Sequence, residues 1–293
     1  MIDPRMYVSS GLLNGYTFEA REGSVLNPRF PAPVNTYNPT INALVDAIYE
    51  ALSHIVKGNT RADGSGSRSI IIGGRTTTTG KGYVQYEIIG GGGGARPSKD
   101  GMSGTCMNQS NAKIAPVEII ESEFPTRLIR YELIRDSGGP GFYRGGLGIR
   151  REYVNLADAR FSIRSTKHIV PANGLSGGNP GRTGDILINP GRDGEKRLPT
   201  RYADYPLKVG DVFRLDTPGG GGYADALERE PGHVLDDVRE GLVSVAAAEQ
   251  QYGVVLKKNG KGWTIDETAT QRLRDSRKAE RSDNRATPSP RAS

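Results

Sequence analysis

The spacing of apolar residues predicts one clear helix early in the chain. Between positions 41 and 55, Ile, Leu and Val recur three or four residues apart, which is the spacing of one face of an α-helix. Thr40 is expected to act as the N-cap of this helix, and Gly58 to follow its end. Before the helix, Asn27-Pro28 and Phe30-Pro31 favour an extended or irregular backbone.

After the helix, short runs of strand-forming residues alternate with turn residues. The runs 69–72 and 83–89 predict a hairpin. Five similar runs follow Pro125: 128–135, 148–156, 161–168, 185–189 and 211–216. Gly, Pro and Asn clusters separate them, which is typical of an antiparallel β-sandwich or barrel-like region. The predicted fold class is therefore α+β, predominantly β, with a few peripheral helices.

The C-terminal part of the chain carries helix and turn signals of its own. Ser244 and Gly253 bracket a predicted helix over 245–251, and Asn259-Gly260 predicts the turn of a final hairpin. Asp266 is expected to cap a last helix that reaches about Lys278, and the polar residues 281–293 are expected to be disordered. We divide the chain into a mixed N-terminal segment (1–125), a β-rich region (126–265) and a C-terminal helix with a basic tail (266–293).

Charge and cysteine content narrow the possible functions. The net charge is +6, and residues 271–293 contribute +4 of it through seven Lys/Arg and three Asp/Glu. A nucleic-acid-binding protein usually carries its basic residues on a folded face with aromatic platforms, whereas this tail has no aromatic residue. A single Cys excludes an internal disulfide and favours a cytoplasmic location. The sequence contains no run of about 18 apolar residues, so no membrane span is predicted.

Three familiar catalytic or nucleotide-binding patterns are met only in part. A P-loop needs four residues between its first glycine and Gly-Lys, but five separate Gly74 from Gly80, and a strand follows instead of a helix. Gly90-x-Gly92-x-x-Ala95 approaches a dinucleotide motif, but Arg96-Pro97 blocks its helix. Ser176 fits the letters of a nucleophile elbow without the flanking strand and helix, so a loop is favoured over serine catalysis.

The candidate site residues lie around five consecutive glycines, Gly90 to Gly94. One interpretation is a tight backbone crossing; the other is a loop that lines a site or a contact between subunits. In the second case the N–H groups of Gly91, Gly92, Gly93 and Gly94 would bind an anion or oxyanion. Arg96, Lys99 and Arg144 would bind a carboxylate, bicarbonate or phosphate, with Asp100 orienting Arg96; solvated loop charges are the alternative. No catalytic residue is identified, and three His with one Cys predict no metal site in this chain alone.

Several long segments resemble one protein family in collinear order. They are REGSVLNPRFPAPVN (21–35), GGGGGARPSKDG (90–101), PVEIIESEFPTRLIRYELIRDSGGPG (116–141), TPGGGGYADALEREP (217–231) and DDVREGLVSVAAAEQQYGVVL (236–256). They resemble the hydantoinase B family, which includes the B parts of N-methylhydantoinases and 5-oxoprolinases and the homologous subunits of acetone and acetophenone carboxylases. The resemblance corresponds to the C-terminal half of a typical member.

The resemblance implies a component of a heteromeric ATP-dependent carboxylase, supplying the C-terminal part of the hydantoinase B-like component. The alternatives are a subunit of a hydantoinase, oxoprolinase or lactamase that hydrolyses a cyclic amide, or a non-catalytic assembly subunit. ATP with Mg would be bound by a hydantoinase A-like partner, and any metal ion by the partner that carries the N-terminal half. The substrate would be a small carbonyl compound or cyclic amide, and this chain would be inactive alone.

Overall fold

The described part of the chain contains five helices and three antiparallel sheets, one of which is a two-stranded hairpin. The fold is that of a computed structural model, which describes residues 11, 14–34, 36–56, 58–106, 108 and 112–286, with side chains through 281. The helices are α1 (Asn38–Ser53), α2 (Val117–Glu123), α3 (Pro231–Arg239), α4 (Val245–Tyr252) and α5 (Glu267–Ala286). The strands are β1 (Arg68–Arg75), β2 (Gly82–Ile88), β3 (Thr126–Leu133), β4 (Ile149–Asn155), β5 (Ala159–Ser165), β6 (Asp185–Ile188), β7 (Lys196–Arg197), β8 (Arg201–Leu207), β9 (Val212–Asp216), β10 (Leu256–Asn259) and β11 (Gly262–Ile265).

The larger strands form two sheets around one hydrophobic core. The first sheet has the order β2–β1–β5–β8, and the second has the order β3–β4–β9–β6–β7. Phe161 of the first sheet lies 5.0 Å from Phe213 of the second, and Tyr153 stacks on Phe213 at 4.6 Å between ring centroids. Alternate residues of β1, β4 and β5 are fully buried, as expected for strands with one face in a core. The predicted α+β, predominantly β class is confirmed, and its sheets are antiparallel.

The strand predictions succeed except at one edge of each of the two large sheets. The 69–72/83–89 hairpin is confirmed as β1 and β2, and the five later runs correspond to β3, β4, β5, β6 and β9. No sequence pattern predicted β7 or β8. β7 has only two residues, and β8 is an edge strand that contains Pro206 and leaves most of its side chains exposed, so it lacks a continuous apolar pattern.

The C-terminal turns follow their local signals closely. Ser244 accepts a hydrogen bond from the N–H of Ala247, and Gly253 ends α4 in the left-handed conformation with φ +63°. The predicted hairpin is formed by β10 and β11, which pair up to Asn259 and Gly262. Asp266 accepts a hydrogen bond from Ala269 at the start of α5, so this predicted cap is confirmed as well.

Three predicted helix boundaries are wrong. α1 ends at Ser53, four residues before the predicted end at 57, and a turn follows in which the N–H of Ile55 donates to Leu52 O at 3.0 Å. α1 begins at Asn38 rather than after Thr40, because Pro39 is compatible with the first helical turn, where its missing N–H has no consequence. α5 continues to Ala286 instead of ending near Lys278, so residues 281–286 of the predicted disordered tail are helical. Lys278 pairs with Glu228 at 2.7 Å and Arg281 with Asp225 at 2.8 Å, which holds this polar helix against the fold. Residues 287–293 lie outside the described residues.

Candidate functional site

Three glycine-rich segments cross at the centre of the chain. The N–H of Gly92 donates to Pro218 O at 3.0 Å, that of Gly146 to Gly93 O at 2.8 Å, and that of Gly220 to Gly146 O at 2.9 Å. A Cβ added at Gly92, Gly146 or Gly220 would lie under 3.0 Å from a backbone oxygen or nitrogen of another segment. The sequence requires glycine here because the backbones approach each other too closely for any side chain.

The glycine N–H groups that were predicted to bind an anion already donate hydrogen bonds within the crossing. Besides Gly92, Gly91 donates to Thr105 O at 3.0 Å and Gly93 to Met102 O at 2.7 Å. The backbone of Gly94 lies against the carbonyl of Ala62, and all four glycines are buried. An anion at these three N–H groups would have to compete with the hydrogen bonds that hold the crossing together.

The predicted cations beside the glycines occupy two different environments. Arg96 and Lys99 face each other across a tight turn, in which Arg96 N donates to Lys99 O at 3.0 Å. Arg96 is half-buried and Lys99 is exposed, so both side chains reach solvent. Arg144, by contrast, is buried, and its guanidinium donates to Asp237 at 3.2 Å and to Gly145 O at 2.8 Å.

Asp100 joins Arg144 to a residue that the sequence did not single out. We expected Asp100 to orient Arg96, but its two carboxylate oxygens accept hydrogen bonds from Arg229, each at 2.7 Å. One of these oxygens also accepts from the backbone N–H of Arg144 at 2.7 Å. Arg229 further donates to Asp237 at 2.8 Å, so that Asp100, Arg144, Arg229 and Asp237 form one buried network, called here the Arg229 network.

Electrostatics keep Asp100 ionised in this network. Burial alone would raise the pKa of its carboxyl, but the hydrogen bonds from Arg229 and the charges of Arg229 and Arg144 outweigh burial and lower that pKa. Arg229 and Asp237 both lie in segments that carry the family resemblance, 217–231 and 236–256. That resemblance was the available signal, but it did not indicate which side chains meet.

A second polar network lies on the inner face of α1. Asp46 contacts Arg61 at 3.5 Å, Asn108 at 3.3 Å and Lys167 at 3.6 Å, and Lys167 also pairs with Asp63 at 2.9 Å. We call these five residues the Asp46 network. Burial and the nearby charge of Asp63 raise the pKa of Asp46 to about 6, so this carboxyl can hold or release a proton near neutral pH. Sequence reasoning missed it because polar residues within a helical pattern normally face solvent.

An open cavity of about 440 Å³ lies beside β6 and contains a histidine. Its lining includes His168, Arg182, Asp185, Arg197 and Thr200. His168 Nε2 lies 2.7 Å from Ser165 Oγ. The hydroxyl group that pairs with this histidine is therefore that of Ser165, and not that of Ser176, which the sequence had suggested as a nucleophile. Burial and the charge of Arg68 lower the pKa of His168 to about 4, which leaves a neutral imidazole at pH 7.

The described residues offer no evident place for a metal ion or for ATP phosphates. Among them, no three His, Cys, Asp or Glu side chains are grouped closely enough to hold a metal ion. The glycine-rich stretch 74–82 joins the paired strands β1 and β2, so a strand rather than a helix follows it, and it does not fit a phosphate loop. Within the same described part of the chain, no helix is both long enough and apolar enough to cross a bilayer.

Comparison with other sequences identifies the family. A model of the hydantoinase B/oxoprolinase family matches residues 1–226. An uncharacterised protein of Methanocaldococcus jannaschii is 37% identical over 94% of this chain and 48% of its own length. A protein of Pseudomonas sp. strain NS671, named as the putative B component of a D-/L-hydantoinase, is 33% identical over 91% of this chain and 44% of its own. The chain thus spans about half the length of these relatives.

Two solved structures share the fold. The ATP-dependent caprolactamase from Pseudomonas jessenii is 28% identical, with a TM-score of 0.74 over 88% of this chain and 46% of the other. A nucleotide-free acetone carboxylase is 22% identical, with a TM-score of 0.69 over 87% of this chain and 38% of the other. At that identity the second likeness concerns the fold alone. Together with the family match, these findings show that the chain belongs to the hydantoinase B/oxoprolinase family.

Proposed function

We propose that the chain is the C-terminal part of the B-type component of an ATP-dependent enzyme that hydrolyses a cyclic amide. The observation that carries this proposal is the likeness to the ATP-dependent caprolactamase, which combines a TM-score of 0.74 with 28% identity. The relative named as the B component of a hydantoinase points to the same class of substrate. ATP with Mg would be bound by a hydantoinase A-like partner, and any catalytic metal by the partner that carries the N-terminal half.

Carboxylation of a small carbonyl compound is the second candidate reaction. The acetone carboxylase structure supports it through the fold, since its TM-score is 0.69. Its 22% identity is lower than that of the caprolactamase, which is why cyclic-amide hydrolysis is preferred.

For the chain's own contribution to a site, the contacts favour Arg96 and Lys99 over the other candidates. Both side chains reach solvent at the edge of the glycine crossing, where they are available to a carboxylate or phosphate. Arg144 and Asp100 are engaged in the Arg229 network, which supports a role in holding the turn in position. The N–H groups of Gly91 to Gly93 already have backbone acceptors, which makes them weaker candidates.

The reaction is tested on the assembled enzyme. The affinity-tagged chain is purified from its native host with its partners, and ADP formation is followed with hydantoin, 5-oxoproline or caprolactam, and separately with acetone and bicarbonate. We expect ADP and ring-opened product to appear together with a cyclic amide, and no turnover by the chain alone. ADP formation that requires bicarbonate and yields a carboxylated ketone would contradict hydrolysis and favour the second candidate.

The role of Arg96 is tested in the same complex. Arg96→Gln is expected to lower turnover at least tenfold while the subunits still co-purify, because a charge that binds an anionic group is lost. Arg160→Gln is the matched control, since Arg160 is an exposed arginine on β5. Unchanged turnover in Arg96→Gln would instead support a non-catalytic assembly role for this part of the chain.

A further inference from the structure

Helix α1 leaves three of its apolar residues exposed. Its buried residues are Asn42 and Asp46, whereas Ile41, Leu44 and Ile48 are 37–43% exposed. A surface helix of a finished domain normally shows the opposite arrangement, with its apolar stripe against the core and its polar face in water. Ile41, Leu44 and Ile48 therefore form an apolar stripe that the described part of the chain leaves exposed, although Val45 and Leu52 of the same pattern are half-buried.

The segment before α1 extends this apolar face. Phe30 is 97% exposed and Val25 is 78% exposed, which is unusual for side chains of this size in one short segment. Val25 and Leu26 also line a cavity of about 430 Å³ together with Ala43 and Leu44 of α1, so segment and helix form one groove. The N-terminal apolar surface is defined here as Val25, Leu26, Phe30, Ile41, Leu44 and Ile48.

The length of the relatives indicates what would cover this surface. This chain spans 48% and 44% of the two relatives described above, so about half of each relative's chain lies outside the match. The sequence resemblance implies that the match is the C-terminal half, which would put residues 16–56 directly after the other half along the relatives' chain. Segments at such a junction contact both halves of a fold, and a fold divided there exposes apolar surface that the other half buries.

We propose that the N-terminal apolar surface is the docking site for a polypeptide equivalent to the N-terminal half of the family's B-type chain. This inference rests on the part of the proposed function that makes the chain a component of a B-type assembly. The occupant presents an apolar element to the groove between residues 25–26 and α1. Docking holds α1 in place from outside, while the Asp46 network holds its inner face.

Site-specific photo-crosslinking tests this assignment directly. The photoreactive residue p-benzoylphenylalanine replaces Phe30 in the tagged chain, which is expressed in its native host, irradiated and analysed by peptide mass spectrometry. The matched control carries the same residue in place of Val209, an exposed apolar residue beyond the Leu207 end of β8. The groove lies near Arg201, at the other end of that strand.

The expected result is a crosslink from position 30 to a peptide that aligns with the uncovered half of the hydantoinase B relatives, with none from position 209. A crosslink to a second copy of this chain or to an A-type subunit, or no crosslink at all, would overturn the inference. ADP formation with a cyclic amide is measured on the same preparation. Turnover without the expected crosslink would contradict only the docking site. The expected crosslink without turnover would contradict only the proposed reaction.

A double variant provides an independent measurement. Phe30→Ser with Ile48→Ser is expected to reduce the recovered N-terminal-half polypeptide at least tenfold, while Val209→Ser leaves it unchanged. Because Phe30 and Ile48 are exposed, the thermal unfolding of the isolated chain is expected to stay the same, which separates lost docking from lost folding. Equal recovery with both variants would overturn the inference.

Discussion

Two carboxylates, the half-buried Asp100 and the buried Asp46, are held in very different ways. Both oxygens of Asp100 accept hydrogen bonds of 2.7 Å from one arginine, and its pKa is lowered. Asp46 has neighbours at 3.3–3.6 Å, and burial raises its pKa to about 6. The first carboxylate is tightly paired within the chain, whereas the charges of Lys167 and Arg61 and a backbone hydrogen bond from Gly64 do not offset the burial of the second.

The surroundings of Asp100 are also more tightly bonded than those of Asp46. Asp100 borders the glycine crossing, where backbone segments from three parts of the chain bond to one another. Asp46 lies on the inner face of α1, whose outer face leaves apolar side chains in water. This contrast indicates that the glycine crossing is a finished, rigid part of the fold, and that the α1 side is where further binding is to be expected.

The largest effect is expected from adding one methyl group inside the crossing. In Gly220→Ala, the new Cβ would lie under 3.0 Å from the backbone carbonyl of Gly93, and both glycines are buried. We expect a loss of at least about 5 kcal/mol of unfolding free energy, comparable to the whole stability of many domains. Urea denaturation followed by circular dichroism measures it, or shows that the variant does not fold.

Gly232→Ala is the matched control for this substitution. Nothing lies within 4 Å of a Cβ added there, and Gly232 belongs to the first turn of α3. Its stability is expected to stay within about 1 kcal/mol of the parent chain, since alanine is the better helix former. If both variants unfolded at the same urea concentration, the crossing would not be the rigid element described above.

A smaller loss is expected from breaking the Arg229 network. Arg229→Gln removes the buried cation between the half-buried Asp100 and the buried Asp237, which keeps its contact with Arg144. Removing one partner of a buried ion pair costs about 3 to 5 kcal/mol. Arg281→Gln is the control, because Arg281 pairs with Asp225 at 2.8 Å but is half-exposed, and such surface pairs contribute up to about 1 kcal/mol. Similar urea midpoints for the two variants would contradict a structural role for the network.

Local signals predicted the elements of this fold, while contacts distant in sequence decided the site. Ser244, Gly253 and Asp266 mark helix ends correctly because capping depends on neighbouring residues. Asp100 and Arg229 are 129 positions apart, so no local pattern indicates that they meet. The five consecutive glycines correctly suggested a close approach, but not which backbone would accept their hydrogen bonds.

The apolar pattern of α1 shows a second limit of sequence reasoning. Its spacing predicted the helix but did not reveal that Ile41, Leu44 and Ile48 are left exposed by the described chain. A helical pattern identifies a face to be covered, and only the fold shows whether the same chain covers it. β8 shows the converse, because an exposed edge strand has no alternation to detect.

The smallest effect expected on stability is the pH dependence that Asp46 imposes. Its carboxyl keeps a proton up to pH about 6 in the folded chain, whereas an unfolded Asp loses it near pH 3.9. Between these values the folded state binds more protons, so the unfolding free energy falls as pH rises from 4 to 6. A pKa difference of this size corresponds to at most about 3 kcal/mol. Asp100 has a lowered pKa, so its effect on the unfolding free energy has the opposite sign. The stability that it contributes is lost as pH falls below the usual pKa of an aspartate.

The contribution of Asp46 is isolated by comparing the parent chain with Asp46→Asn in urea denaturation at pH 4, 5, 6 and 7. The comparison is needed because the pKa of His168 is lowered to about 4. Its effect raises the unfolding free energy as pH rises through the same interval, and this masks the opposite effect of Asp46 in the parent chain. Relative to Asp46→Asn, the parent chain is expected to lose stability from pH 4 to 6 and then level off. Parallel curves would mean that Asp46 titrates like an exposed carboxylate, and the contrast between the tightly paired Asp100 and the loosely held Asp46 would disappear.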